Sequence, residues 1–68
     1  MPDKTYKKIE IVGTSSKSFA KAVQNGIERA SETVKNMGWF EVAEVRGRID
    51  GDKVGQYQVT LKVGFRLE

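Results

Sequence analysis

The segment QYQVTLKVGFRL, Gln56–Leu67, decides the fold. Tyr57, Val59, Leu61, Val63, Phe65 and Leu67 alternate with Gln56, Gln58, Thr60, Lys62, Gly64 and Arg66. A period of two held over that length specifies a strand with one apolar and one polar face. The apolar face needs a cover, and the cover lies upstream. Phe19, Val23, Ile27, Ala30, Val34 and Met37 recur every three or four residues, the period of one amphipathic helix. The spacing predicts a helix from Ser18 to Met37, roughly 30 Å long at about 1.5 Å per residue. The serines of TSSKS offer caps for its start, and Gly38 stands where a left-handed terminating residue is expected. Gly26 falls inside it and costs about 1 kcal/mol relative to alanine if exposed.

The two flanking strands follow from weaker signals. YKKIEIVGTS reads as a strand from about Tyr6 to Val12, with Ile9 and Ile11 on its inner face. A second strand runs from Trp39 to about Ile49, but Phe40 and Val42 occupy one parity while Ala43, Val45 and Ile49 occupy the other. One extra residue near Ala43 or Glu44, a bulge, reconciles them. DGDKVG, Asp50–Gly55, supplies the hairpin turn, with Gly51 and Gly55 free to adopt positive φ. The expected fold is α+β, a single β-α-β-β domain spanning residues 1–68. With the last strand in the middle, every strand pairing is antiparallel and the helix covers one face.

Composition limits what such a unit does. A chain of 68 residues buries only about 60 % of the surface its unfolded form exposes, so a private core is marginal. There is no cysteine to staple it, which leaves self-association as the substitute. There is also no histidine, the commonest general base and transition-metal ligand. The acidic residues are dispersed, and GTSSKS lacks the second glycine and the Gly-Lys pair of a phosphate loop. These features argue against an enzyme and against a metal site. No apolar run approaches the roughly 20 residues of a membrane span, and MPDKTYKK has no secretory apolar core, so the expected location is the cytoplasm, with no membrane partner. A net charge of +3 is too mild to specify nucleic acid, and none is expected as a partner. Lys4, Lys7 and Lys8 read as solvated terminal charges that a phosphate is able to use.

The outer face is the informative one. Gln56, Gln58, Thr60, Lys62 and Arg66 face away from the helix, joined by Glu44, Arg46 and Arg48 of the neighbouring strand. Such a surface is either solvated or an interface, and uncharged amides suit hydrogen bonding inside an interface. Alternation adds that if Phe40 turns inward, Trp39 turns outward. An outward indole near amides and guanidinium groups suits a planar heteroaromatic ligand, although a protein partner would use the same residue. The alternative from another class is a small oligomeric module that binds protein or nucleic acid through this polar face.

From Tyr6 to Glu68 the sequence resembles the dodecins, small flavin-binding proteins, on the blocks VGTS, WFEV followed by RG, YQV and VGFRLE, and it is most similar to their bacterial branch. The resemblance implies a sheet wrapped around one helix and a hollow homododecamer. It implies FMN as the cofactor, with riboflavin or FAD possible, stacked on Trp39 between subunits, oriented by Gln58 and approached by Arg46. Stacking would quench and photoprotect the flavin, a storage or sequestration role without turnover. Coenzyme A is a further ligand implied by the bacterial members, with Arg66 and Arg29 as its positions here. Many members carry an aspartate immediately before the tryptophan, where this chain has Gly38.

Overall fold

The computed structural model describes residues 3–68. The order is β1 (Tyr6–Ser15), α1 (Phe19–Ala30), β2 (Met37–Asp50) and β3 (Lys53–Arg66). The strands form one sheet in the order β1-β3-β2, with both pairings antiparallel and β3 in the centre, the arrangement expected above. The register steps between Val42 and Glu44, which places the expected bulge at Ala43. Beyond it Glu44, Arg46 and Arg48 stand opposite Thr60, Gln58 and Gln56, so the polar face is continuous over the two strands. No helix among the described residues is long and apolar enough to cross a membrane.

The helix differs from its expected bounds. It ends at Ala30 rather than Met37, because the Ser31 hydroxyl takes the Glu28 carbonyl (2.7 Å) and the chain tightens through i→i−3 bonds at Glu32 and Thr33. Met37 belongs to β2 and packs on the core from there, so its helical spacing from Val34 was coincidental. The left-handed residue is Asn36 (φ 63°), and Gly38 lies in β2. At the other end Ser18 is the N-cap, its hydroxyl accepting from the Lys21 amide at 3.0 Å. Ser15 closes β1, three residues beyond the expected end, and its hydroxyl accepts from the Lys17 amide at 2.9 Å. The turn is also tighter than expected, with Gly51 at φ 66° and Gly55 already inside β3.

Gly26 has a specific use. It meets Gly13 of β1 backbone to backbone, and a Cβ on Gly13 would collide with the Ala22 carbonyl and lie 3.2 Å from the Gly26 Cα. The helix therefore settles directly onto β1, where the Asn25 amide donates to the Thr14 carbonyl at 3.0 Å. This close seating offsets the propensity cost of a helical glycine.

The core is small. Ala22, Val59, Leu61 and Val63 are buried, with Ile9, Ile11, Val23, Ile27 and Met37 packed around them. The helix leans on β1 and β3 and leaves the inner face of β2 bare, so Phe40, Val42 and Val45 are each about half exposed instead of joining the core. The β2–β3 hairpin projects beyond the helix, leaving Ile49 and Val54 open, and the molecule measures 55 × 20 × 14 Å. Its radius of gyration is 14.2 Å, against about 11 Å for a compact chain of this length.

Candidate functional site

Trp39 sits on β2 opposite Gly64 of β3, on the sheet face away from the helix, while Phe40 stands opposite Val63 on the helix side. The outward indole inferred from alternation is where the structure has it. Gly64 determines how the ring lies. A Cβ built on Gly64 would meet Trp39 Cε2, Cζ2 and Cη2, three consecutive ring atoms, at nearly equal distances. An edge-on approach would bring one atom much nearer than its neighbours, so the indole lies face-down across the glycine. The residue remains 39 % exposed.

Three side chains border the ring. Glu41, two residues along the same strand and therefore on the same face, accepts a hydrogen bond from the indole Nε1–H at 3.1 Å through Oε2. Lys8 of β1 reaches across β3 and donates to both carboxylate oxygens, at 3.2 and 3.4 Å. That reach is open because Lys8 and Trp39 both stand opposite Gly64, which has no side chain to separate them. The hydrogen bond from Trp39, then the hydrogen bond and charge of Lys8, hold the Glu41 carboxyl below its ordinary range. Tyr6 packs against the indole in a T-shaped pair, with centroids 5.1 Å apart and planes at 69°. Lys8, read from sequence as a solvated terminal charge, is thus committed to an ion pair.

Gln58 and Arg46 form a second cluster on the same face. They are direct cross-strand partners, and the Gln58 amide nitrogen donates to Gln56 Oε1 at 2.8 Å, leaving the Gln58 oxygen and one N–H unpaired by side chains. Gln58 and Gly64 are six positions apart on β3, about 20 Å at roughly 3.3 Å per residue. One chain therefore does not bring Trp39 and Gln58 to a common ligand the size of a single ring system.

Arg66 and Arg29, the other two arginines singled out from sequence, line separate depressions. Arg66 is opposite Tyr6 and lines a depression with Thr33, Lys35 and Asn36. Arg29, in the last helical turn, lines another with Val12, Gly26 and Thr33 and pairs with Glu32 at 3.8 Å. Thr33 is common to both depressions. Among the described residues no three His, Cys, Asp or Glu side chains group in a way that holds a metal ion.

Sequence reasoning missed Tyr6, Lys8, Glu41 and Gly64. Two signals were present: Glu41 shares the parity of Trp39, and Gly64 is the one residue without a side chain in the polar parity of Gln56–Leu67.

Comparison with known proteins places this geometry. The family model described as Dodecin matches residues 5–68. The chain is 51 % identical over 65 residues to the dodecin of Thermus thermophilus, covering 96 % of this chain and 94 % of that one. It superposes on the structure of dodecin from Streptomyces coelicolor with a TM-score of 0.95 at 48 % identity, covering 100 % of this chain and 97 % of that one. A protein named calcium dodecin, from Mycobacterium tuberculosis, is 31 % identical over 62 residues, covering 91 % of this chain and 87 % of that one.

Proposed function

Since the chain belongs to the dodecin family, we propose that it binds flavin, stacking FMN (or riboflavin or FAD) on Trp39 between subunits and holding it without turnover. The observation that carries this reading is the indole laid flat over Gly64 on the outer sheet face and still 39 % exposed. A ring in that posture is a ready stacking platform, and each aromatic stack adds about 0.5–1.5 kcal/mol beyond the area buried. A bound isoalloxazine would supply an excited-state electron acceptor, which face contact with an electron-rich indole quenches.

The separation of Trp39 from Gln58 sets how the site is built. The platform and the amide that addresses the polar edge of the ring system come from different subunits, so binding depends on assembly. Dodecamers are the assembly known for the family, and the bare inner face of β2 and the open hairpin tip provide apolar surface for it. Gln58 offers one acceptor and one N–H to the ring edge, and Arg46 beside it offers positive charge to a phosphate. Arg66 and Arg29 are the positions at which a phosphate of coenzyme A would be met. Storage and sequestration in the cytoplasm, rather than catalysis, suits a ring whose neighbouring carboxylate and amine, Glu41 and Lys8, are engaged with each other in an ion pair.

The test is a titration of metal-free apo-protein with FMN, following flavin emission. Emission should fall as the protein saturates, and Trp39→Ala should leave it nearly unchanged. Complete quenching by Trp39→Ala would remove the tryptophan from the site, and a monomer that binds FMN with full quenching would refute the inter-subunit arrangement.

A further inference from the structure

The indole in this chain is held from three sides, and each restraint comes from a different strand. Gly64 of β3 provides the floor, Tyr6 of β1 packs against the ring in a T-shaped pair, and Glu41 of β2 accepts the Nε1–H. Glu41 is itself held, because Lys8 donates to both its oxygens from the far edge of the sheet. The result is a line of contacts across all three strands, from Lys8 through Glu41 to Trp39, lying over a residue that has no side chain.

We propose that Glu41 is a positioning residue for Trp39 that both fixes the indole on Gly64 and, as an anion accepting Nε1–H, raises the electron density of the ring offered to the ligand. This rests on the reading of Trp39 as the flavin-stacking platform.

Two physical effects are combined in one contact. An exposed tryptophan on a strand ordinarily samples several χ1 and χ2 wells, and a hydrogen bond at its one polar atom selects among them. A carboxylate acceptor is also charge-assisted, and it draws positive character out along the N–H bond while leaving the π-system richer. A richer π-system gives up an electron more readily when an excited acceptor lies against it. The electron that leaves the indole returns to it on recombination, so the cycle consumes no oxidant or reductant, and the Nε1 proton stays between Trp39 and Glu41. Lys8 keeps the carboxylate ionised and aimed, while Lys62, opposite Glu41 on β3, and Glu10, opposite Lys62 on β1, complete the charged groups around it.

The experiment separates order from electronics. Trp39 is the only tryptophan, so the time-resolved emission anisotropy of the apo-oligomer reports on this ring alone, with no flavin present. Glu41→Ala should introduce a fast decay component from a freed indole and weaken FMN binding by about tenfold, the scale of one lost charge-assisted hydrogen bond. Glu41→Gln keeps an acceptor oxygen at the same reach and should restore the slow anisotropy. It should not restore the quenching rate: the excited-state lifetime of bound FMN should be at least about twofold longer than in the parent, because the charge is gone. Glu41→Ala with unchanged anisotropy overturns the positioning role. Glu41→Gln with the parent lifetime overturns the electronic one. If Trp39→Ala still quenches FMN, the stacking reading fails, while the apo-protein anisotropy still decides whether Glu41 orders the ring.

Discussion

Gly64→Ala tests the seat of the site with a single methyl group. The new Cβ would lie 2.5 Å from Trp39 Cε2 and no farther from the two ring atoms beside it. Carbon atoms in contact rest at about 3.5–4.0 Å, so the ring and the strand must separate by about 1 Å or more. Gly64 cannot yield, because β3 is bonded on both sides, to Lys8 of β1 and Trp39 of β2 in register. The indole must lift, and lifting draws Nε1 away from a Glu41 oxygen now at 3.1 Å. Overpacking of this kind costs about 1–3 kcal/mol, part of which the ring avoids here by swinging toward solvent. The expected result is a red-shifted tryptophan emission maximum in apo-protein, a midpoint of chemical denaturation lowered to match about 1 kcal/mol or more, and weaker FMN binding with incomplete quenching. A variant that keeps the parent emission maximum and the parent FMN affinity would show that the indole does not depend on the glycine floor, and the stacking geometry argued above would be wrong.

Other perturbations probe the rest of the design. Leu61→Ala empties the centre of a core that has only Val59, Val63 and Ala22 as fully buried neighbours; a loss of about 2–5 kcal/mol is expected, read as unfolded chain or dissociated oligomer by sedimentation. Gly13→Ala drives a methyl into the Ala22 carbonyl, so helix and sheet must separate; circular dichroism should show lost helix, and an unchanged spectrum and stability would contradict the backbone contact. Glu41 titrates below its ordinary value because Trp39 and Lys8 bind the charged form. A depressed folded pKa means that its contribution is present above the unfolded pKa and is lost as pH falls through the folded one. The indole Nε1–H resonance should therefore hold steady on acidification to the ordinary carboxylate range and shift only below it, and Glu41→Gln should abolish that step.

Much of this was legible because β3 alternates without a fault from Tyr57 to Phe65, which separates an apolar face for the helix from a polar outer one. The bulge at Ala43 was legible for the same reason, since apolar parity changes there and only an extra residue reconciles it. The end of the helix was not. Val34 and Met37 continue a helical spacing, and the feature that overrides it is the Ser31 hydroxyl on the Glu28 carbonyl, a local competition that periodicity does not encode. The orientation of Trp39 was accessible from its neighbour Phe40, but what holds the ring was not. Lys8 and Glu41 are 33 residues apart, and their meeting depends on Gly64 between them, a residue that reads in isolation as a weak point in a strand.

The least expected feature, the bareness of β2, explains why the site lies where it does. Phe40, Val42 and Val45 have the parity of core residues, yet one helix is too narrow to cover three strands and settles over β1 and β3, seated on β1 by the Gly13–Gly26 contact. Moving the helix toward β2 would bury those side chains and give a self-sufficient monomer, but it would break the glycine contact and the Asn25 bond to Thr14. As built, β2 lacks a cover on its inner face and carries the tryptophan on its outer face. If copies of the chain cover Phe40 and Val42 in the proposed assembly, they act on the strand that bears Trp39 and Glu41, and the proposed flavin affinity should fall as assembly is lost. Val42→Lys, placed on the inner face away from the indole, should lower both together: sedimentation should show smaller particles and FMN titration weaker quenching at equal protein concentration. Dissociated chains that still bind FMN at parent affinity would separate the two and refute the link between the bare strand and the site.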